Sequence, residues 1–419
     1  MMKKRAVWKH RLIIGALGVA MGLVPMATAY GSVVGGGYLG GAPSGPGMTG
    51  GMSTGANAAE TPGSASLDAA DYAATGGTAQ GAMTIRTEIP AGAINSMALE
   101  VTDPIVKVPD QYTYDYMVHD IRALYARYPG KMTYRSLAQT PDGRDIYEIT
   151  VGNQRAGTHI LINASIHARE YLTSNLVMKQ LEYLLAYADQ GAFDGKSLRV
   201  WLEEVCVHFV PMINPDGVSI SQFGLGGVRN GMLRQRVQKA YENDLSAGRT
   251  KLPLEQYLVR WKANANGVNL NQNFSVFFDR ATGKADDPSA EDYKGAYPAS
   301  EPESKAMADL IAGRHWKAIL NYHSMGNIIY WDTENNPLRE HSRDLANNLS
   351  ALTGYPLRTA GGGGGMKEYA QLGKDPTVSL TLEIGSAAAP VPPSEMEKLW
   401  AQNKFVPFYT MKWAAEKGK

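Results

Sequence analysis

Residues 158–170, which read THILINASIHARE, contain the most informative pattern in the chain. Its first nine residues form a short, mostly apolar run, a pattern typical of a strand that is buried on both faces of a sheet. His167 and Glu170 follow directly where this run ends. The apolar spacing over 170–187 then predicts a long amphipathic helix, so the stretch predicts a strand, a polar turn and a helix in succession.

The same succession recurs along the chain. Further strands are predicted over 146–151, 205–213, 317–322 and 377–384, and further helices over 112–128, 301–311 and 344–352. Alternation of this kind implies an α/β fold, in which a mostly parallel sheet carries helices on both faces. A single domain over 108–419 accommodates all of these elements.

Polar side chains stand at the ends of three of the predicted strands. His167 and Glu170 follow the first strand, His323 follows the strand over 317–322, and Glu383 lies near the end of the strand over 377–384. Ligands of open α/β sheets bind beyond the carboxyl ends of the strands, so we expect these four side chains to share one rim. Two imidazoles and a carboxylate are typical ligands of a catalytic zinc. The sequence thus predicts one zinc ion per chain, held by His167, Glu170 and His323, with Glu383 as the general base for a water molecule.

Each of these residues also has a simpler interpretation. A His-x-x-Glu pair arises often by chance on protein surfaces. His323 alone is compatible with a hydrogen-bonded interior histidine, and Glu383 alone with a buried ion-pair partner. A structural zinc site is a further alternative, although such sites normally have four protein ligands. The combination is more specific than its parts because every member follows a predicted strand.

The overall composition excludes some classes of protein. The chain has 419 residues, with 41 Lys+Arg against 40 Asp+Glu and a net charge of +1. This balance gives no electrostatic case for nucleic acid or an anionic membrane as the main partner. The single cysteine, Cys206, rules out a disulfide framework and a cysteine-cluster zinc site, and it lies in an apolar run that favours a buried position.

The first thirty residues have the pattern of a secretory signal peptide. A basic start is followed by a short apolar run, and Ala27-Thr28-Ala29 fits the small residues at a cleavage site. An uncleaved membrane anchor is the alternative, but the run is short for a span of ~20 residues. We expect residues 1–29 to be removed near Ala29, which leaves a secreted or cell-envelope protein with no membrane segment in its mature form.

A segment of low sequence complexity follows the predicted leader. Residues 30–107 are rich in Gly, Ala, Ser and Thr over most of their length. Such a composition cannot bury enough apolar surface to offset the entropy lost on ordering, so we expect a largely disordered linker or propeptide. A folded glycine-rich small domain is the alternative. The catalytic domain is then expected over 108–419, as a monomer.

A family resemblance becomes visible when the motifs are taken in order. The motifs are His167-x-x-Glu170, Asn214-Pro215-Asp216-Gly217, Gly267-Val-Asn-Leu-Asn-Gln-Asn-Phe274, His323-Ser324 and Glu383. This order resembles the carboxypeptidase A-like zinc carboxypeptidases. The resemblance implies one α/β/α domain with a mixed, mostly parallel eight-stranded sheet, the zinc ligands given above, and Glu383 as base and proton shuttle. Within that family, the chain looks most like bacterial peptidases that cut γ-D-glutamyl–diamino acid bonds in peptidoglycan stem peptides.

The chain departs from the family pattern at residues implied to bind the substrate. Gln272 stands where the family has an arginine that grips a terminal carboxylate, and an amide lacks that charge. Asn271 remains a candidate hydrogen-bond donor to a carboxylate. Asn269 replaces an aspartate that orients a zinc-binding imidazole in the family, so the basicity of that ligand is expected to be lower.

The resemblance suggests roles for four other residues. Lys262 stands where the family often has an arginine that polarises the scissile carbonyl, and an ammonium can stabilise an oxyanion as a point charge. Asn214 is a candidate substrate-binding residue, although its motif alone is also a turn sequence. Tyr355 and Tyr369 are candidates for the tyrosine that covers the substrate, and packing is the alternative for both.

Three functions remain open from the sequence. The first is a secreted zinc peptidase that cleaves an amide bond in peptidoglycan stem peptides. The second is an ordinary metallocarboxypeptidase that releases C-terminal residues, which Gln272 disfavours. The third is a wall-binding module without turnover, which the complete set of predicted ligands and base disfavours.

Overall fold

The computed structural model describes residues 100–281, 283, 285–359 and 363–417. The predicted leader, the predicted linker up to residue 99 and part of the glycine run 361–365 lie outside the described residues. Ordered packing begins before residue 108, because the backbone N–H groups of Ile105 and Val106 donate to the Glu182 carboxylate at 2.7 and 2.9 Å. Val106 is buried in the core.

A mixed eight-stranded sheet forms the centre of the molecule. Ten strands are present in the described part: β1 Met132–Gln139, β2 Asp145–Val151, β3 Thr158–Ala164, β4 Ala192–Phe193, β5 Lys196–Ser197, β6 Val205–Val210, β7 Ala318–His323, β8 Ile328–Asp332, β9 Leu357–Thr359 and β10 Val378–Glu383. The order in the large sheet is β1-β2-β6-β3-β7-β10-β8-β9, and β4 pairs with β5 separately. The central strands β6, β3, β7 and β10 are mutually parallel. Antiparallel pairing connects β2 to β6, β1 to β2 and β8 to β10. The predicted α/β class and the mixed, mostly parallel sheet are confirmed.

Helices cover both faces of this sheet. They are α1 Tyr114–Arg127, α2 Leu172–Tyr187, α3 Leu198–Glu204, α4 Pro215–Phe223, α5 Gly231–Ser246, α6 Leu254–Val259, α7 Pro302–Ala312, α8 Arg339–Thr353, α9 Met366–Leu372, α10 Met396–Asn403 and α11 Val406–Lys417. Alternate residues of β3 enter opposite core layers. Ile160 and Ile162 join the layer that includes α2 and α11, while Leu161 joins the layer with α7 and α9. This two-sided burial explains why the strand reads as a continuous apolar run.

Several elements differ from the sequence-based expectations. The helix predicted from residue 170 is preceded by a short 3₁₀ helix, Ala168–Glu170, so His167 and Glu170 lie in a turn before α2. The sequence Asn214-Pro215-Asp216-Gly217 starts α4, because Pro215 occupies the first turn, where no N–H is required. The strands β1 and β8 were not predicted from the sequence. The helices α5 and α6 were not predicted either. Within the described ranges, no helix combines the length and apolar character needed to cross a bilayer.

Candidate active site

The sheet topology brings the predicted strand-end residues together. β3, β7 and β10 are consecutive parallel neighbours, so their carboxyl ends meet at one edge. His323 is the last residue of β7 and is paired in register with Glu383 at the end of β10. His167 lies three residues beyond the end of β3, after Ser165, whose φ of 50° turns the chain. The expectation that these residues share one rim of the sheet is thus met by the topology.

His167, Glu170 and His323 form a compact buried cluster whose potential ligand atoms all lie within 4.8 Å of one another. The Nδ1 atoms of His167 and His323 are 3.1 Å apart. Glu170 Oε1 lies 2.8 Å from His167 Nδ1, and Glu170 Oε2 lies 3.1 Å from His323 Nδ1. Two imidazole nitrogens and a carboxylate directed at one point fit the ligand set of a zinc ion.

The charges within the cluster are strongly coupled. Burial lowers the pKa of His167 to about 4, so this imidazole is neutral near pH 7 and keeps a lone pair. Burial alone would raise the pKa of Glu170, but the two histidines hold this pKa well below its usual range. Burial likewise opposes protonation of His323, yet the Glu170 carboxylate raises the pKa of that imidazole. An ionised carboxylate and a neutral imidazole are the forms that bind a metal ion.

Glu383 lies beside the cluster but outside the three-donor set. Its side chain is partly buried, and its negative charge contributes to the raised pKa of His323. The backbone N–H of Ser324 donates to Glu170 Oε2 at 3.2 Å, which directs that carboxylate towards the histidines. Glu383 therefore stands next to the candidate metal centre as a separate carboxylate, the position expected for a general base.

Lys262 approaches the cluster through both its backbone and its side chain. Its carbonyl oxygen accepts the N–H of Ala168 at 3.0 Å, immediately after His167. Its positive charge lowers the pKa of His167 and opposes protonation of His323. The side-chain Nζ lies 3.4 Å from Glu291 Oε1. This ammonium therefore lies within electrostatic reach of the site, as its predicted role requires.

The remaining predicted substrate residues lie on the short segment 269–272. Asn269 is buried, and its Oδ1 accepts the N–H of Asn271 at 3.1 Å, which caps a 3₁₀ helix over Leu270–Gln272. Asn271 Oδ1 accepts the N–H of Met366 at 3.0 Å, so its amide hydrogens remain the donors for any ligand. Gln272 has a buried Oε1 with no hydrogen-bond partner among the residues that the structure describes. Orientation of an imidazole by Asn269 stays a prediction.

Asn214 supports the site from within the core. It is fully buried, and its Nδ2 donates to the carbonyl oxygens of Ile166 and Ala263 at 3.2 and 3.1 Å. Its Oδ1 accepts the N–H of Gly217 at 3.0 Å and caps α4. The Nδ2 group and Oδ1 of Asn214 thus all take part in hydrogen bonds within the protein. This geometry favours a structural role, in which Asn214 connects the end of β3, α4 and the segment that carries Lys262, over the predicted contact with substrate.

Of the two tyrosines that were candidates for covering the substrate, Tyr355 packs in the interior and Tyr369 is partly buried against a core cluster. Tyr355 is buried in the core, where its hydroxyl bonds Gln402 and Asn403 at 3.2 and 3.0 Å. The ring of Tyr369 packs against Phe274, with 5.6 Å between centroids, and its hydroxyl donates to the Ala308 carbonyl. The packing alternative therefore describes both residues.

A buried polar network that the sequence analysis missed fixes the segment that carries Lys262. Asn264 Oδ1 accepts the N–H groups of Asn266 and Val268, and its Nδ2 donates to Glu301 Oε2 at 2.8 Å. Glu303 is fully buried beside Asn264, and burial raises the pKa of its carboxyl well above the usual range. Glu301, which directly precedes α7, thus contacts Asn264 across 37 residues, and no local sequence pattern reveals this contact.

A second group of potential ligands lies at the opposite end of β3. His159, Cys206 and His208 are buried close together. Glu148 accepts from His208 Nδ1 at 2.7 Å, so His208 Nε2 is left to accept from His159 Nδ1 at 3.0 Å. A neutral His159 can then accept from Arg314 Nη1 at its Nε2, at 3.1 Å. This chain of hydrogen bonds uses every ring nitrogen, so we interpret the group as a structural network.

The comparisons with known proteins agree with this geometry. The family model described as zinc carboxypeptidase matches residues 117–406, which is more than half of the chain. The protein therefore belongs to the zinc carboxypeptidase family, whose members are zinc metallopeptidases and thus hydrolases. The predicted resemblance and the predicted enzyme class are confirmed.

Individual proteins of known name and individual solved structures are also similar to this chain. The chain is similar to gamma-D-glutamyl-L-diamino acid endopeptidase 1 of Lysinibacillus sphaericus, with 32% identity over 71% of this chain and 72% of that protein. It is also similar to mouse carboxypeptidase A4, with 23% identity over 57% of this chain and 53% of the relative. Among solved structures, thrombin activatable fibrinolysis inhibitor matches with a TM-score of 0.56 and 19% identity over 75% and 77% of the two chains. The carboxypeptidase A of Helicoverpa armigera matches with a TM-score of 0.53 and 17% identity over 77% and 76%. These structures support the fold.

Proposed function

We propose that this protein hydrolyses the amide bond between a γ-D-glutamyl residue and a diamino acid in peptidoglycan stem peptides. The observation that carries the reaction class is the buried His167–Glu170–His323 cluster with Glu383 on the neighbouring strand. The substrate class is supported by the similarity to an endopeptidase of that printed specificity over most of both chains. The predicted leader supports export to the compartment that contains the cell wall.

The residues of this chain suit a hydrolysis in which water attacks the carbonyl carbon. A zinc ion held by His167, Glu170 and His323 would polarise the scissile carbonyl and lower the pKa of a nearby water. Glu383 accepts a proton from the attacking water as the new C–O bond forms, and passes this proton to the leaving amine as the C–N bond breaks. The Lys262 ammonium offsets the negative charge that develops on the carbonyl oxygen.

The segment 269–272 supports a substrate without a free terminal carboxylate at this position. Gln272 carries no charge, and its buried Oε1 is a hydrogen-bond acceptor. An uncharged amide cannot form the charge-assisted, bidentate pair that a guanidinium forms with a carboxylate. Release of C-terminal residues from ordinary peptides remains the second candidate, because the chain is also similar to carboxypeptidase A4.

Mass spectrometry of muropeptides incubated with the purified, zinc-loaded protein tests the proposed function. We expect products that have lost the diamino acid end by cleavage after the γ-D-glutamyl residue. Peptides with free and amidated C-termini, supplied in parallel, separate the two candidates. Strong preference for the free C-terminus together with intact muropeptides would overturn the proposal in favour of the second one.

The Glu383→Gln variant tests the assigned base. Gln keeps the shape of the side chain but cannot accept a proton, so hydrolysis should fall by about 10²- to 10⁴-fold. Zinc content, measured by elemental analysis, should stay at one ion per chain because Glu383 lies outside the ligand set. A variant that keeps full activity would show that another group activates the water.

A further inference from the structure

Glu291 is a carboxylate at the edge of the site that no sequence motif singled out. Its Oε1 accepts from Arg169 Nη2 at 3.0 Å and lies 3.4 Å from Lys262 Nζ. The two cationic side chains are only 9% and 13% exposed, whereas the Glu291 side chain is 34% exposed. One carboxylate oxygen therefore contacts two nearly buried cations, and the carboxylate is the member of the trio that faces solvent.

The position of Glu291 is fixed by the backbone that precedes it. Asp244 Oδ2 accepts from the Ser289 hydroxyl at 2.9 Å and from the Ala290 N–H at 3.2 Å. The Ala290 carbonyl in turn accepts the N–H groups of Lys262 and Ala263 at 3.0 and 2.8 Å. Lys262 and Glu291 are therefore held at neighbouring positions by hydrogen bonds that do not depend on their own charges.

Both cations belong to segments that contact the candidate metal centre. Arg169 stands between His167 and Glu170 in the sequence, and the Lys262 carbonyl accepts the N–H of Ala168, which follows His167 directly, at 3.0 Å. A substrate carboxylate close to the scissile bond would be attracted by both cations. Glu291 already supplies a carboxylate to the same two groups, so the two anions compete for one positive region.

We propose that Glu291 is a specificity-determining residue that competes with a substrate carboxylate for Arg169 and Lys262. Its charge sets how strongly the site distinguishes a carboxylate from a carboxamide beside the scissile bond. This inference rests on the proposed function, because a γ-linked glutamyl residue carries its α-carboxyl group at the other end of the short glutarate skeleton that ends in the scissile carbonyl. That group can be a free carboxylate or a neutral carboxamide. Because Glu291 already neutralises part of the positive charge of Arg169 and Lys262, the site can also bind the carboxamide form of the substrate.

The test compares two synthetic γ-D-glutamyl–diamino acid peptides that differ only in this group, with the full-length, zinc-loaded protein. In Glu291→Gln, we expect the ratio of kcat/KM for the acid over the amide to rise about tenfold, mainly through a lower KM for the acid. The rise should shrink as ionic strength increases, because salt screens exposed charges. Glu291→Asp keeps the charge and should stay close to the wild type.

A control variant and a binding measurement distinguish failure of this inference from failure of the proposed function. Glu397→Gln removes the same charge from an exposed position on α10 and should leave the ratio unchanged. An equal change for both peptides in Glu291→Gln would overturn the inference, since it would show positioning of Lys262 alone. If the wild type cleaves neither peptide, the proposed function fails. Calorimetric titration with glutarate and its monoamide then decides the inference, and an equal preference in wild type and Glu291→Gln would overturn it.

Discussion

At the scale of single residues, burial and neighbouring charge decide what each side chain of the site can do. His167 is neutral because burial lowers its pKa to about 4, so it is ready to bind a metal ion. Lys262 lies within electrostatic reach of both histidines without joining the ligand set. The two residues thus offer different chemistry, because His167 can donate a lone pair to a metal ion and Lys262 acts through its position beside the ligands.

The role of Lys262 gives a prediction at this scale. Lys262→Met removes the ammonium and keeps most of the side-chain volume, so we expect kcat to fall by about 10²- to 10³-fold. Lys262→Arg should restore part of the loss, since a guanidinium also stabilises an oxyanion but has a different geometry. Steady-state kinetics measures both variants, with zinc content as the control. Unchanged kcat in Lys262→Met would exclude the predicted oxyanion role.

At the scale of elements, β3 carries two different polar groups at its two ends. The carboxyl end leads to His167 and the candidate metal centre, and the amino end carries His159 in the structural network. His159 is faced by His208 from β6 and Arg314 from the loop before β7, with Glu148, Arg135 and Cys206 nearby. Burial raises the pKa of the Cys206 thiol to about 12, so Cys206 stays uncharged.

The structural network predicts a pH dependence of stability. Burial lowers the pKa of His159 to about 4 and also lowers that of His208, whereas an unfolded histidine has a pKa of about 6.5. The folded state therefore favours neutral rings. The stabilisation is fully present above pH 6.5 and is lost as the pH falls towards 4.

Thermal unfolding of the zinc-loaded protein between pH 7.5 and pH 4.5 measures this effect. We expect Tm to fall less steeply with acidification in His159→Gln than in the wild type, although its Tm at pH 7.5 is lower. His315→Gln is the matched control, because His315 is 62% exposed and pairs with Asp375 at the surface. Equal slopes in all three proteins would contradict the assignment of His159 as a buried neutral group.

At the scale of the whole molecule, the candidate metal centre joins parts of the chain that are distant in sequence. His167 and His323 are separated by 156 residues and meet because β3 and β7 are neighbours in the sheet. A ligand that binds the folded state and not the unfolded state stabilises the fold. A zinc ion at this centre should therefore stabilise the contact between the carboxyl ends of the two strands.

Metal removal tests this coupling. Treatment with a chelator should abolish hydrolysis and lower Tm by several degrees, and added Zn²⁺ should restore both. His323→Ala removes one ligand, so we expect its zinc affinity to fall by more than about 100-fold and its Tm to become insensitive to the chelator. Competition with a chromophoric chelator measures the affinity. Full activity in the chelated protein would contradict a zinc-dependent reaction.

The central strands and the polar residues at their carboxyl ends could be predicted from local sequence patterns alone. Continuous apolar runs such as 158–166 are typical of buried strands or short buried helices, and a polar residue buried at the end of such a run destabilises the fold unless it is hydrogen-bonded or binds a ligand. This local signal predicted that His167, Glu170, His323 and Glu383 lie at strand ends on one rim of the sheet, and their roles as ligands and base stay predictions. It was weaker for α5, whose residues are mostly polar and exposed, and it failed for β8, which lies between β10 and β9 in the sheet.

Contacts between groups that are distant in sequence could be seen only in the folded chain. The pairing of Glu291 with Arg169 spans 122 residues, and the contact of Asn264 with Glu301 depends on how two loops pack. The same packing gave Asn214 a structural role and placed Tyr355 in the core. Local sequence reports on burial and secondary structure, because these follow from the spacing of neighbouring residues. The partner of a polar side chain depends on strand order and loop packing, which no single segment encodes.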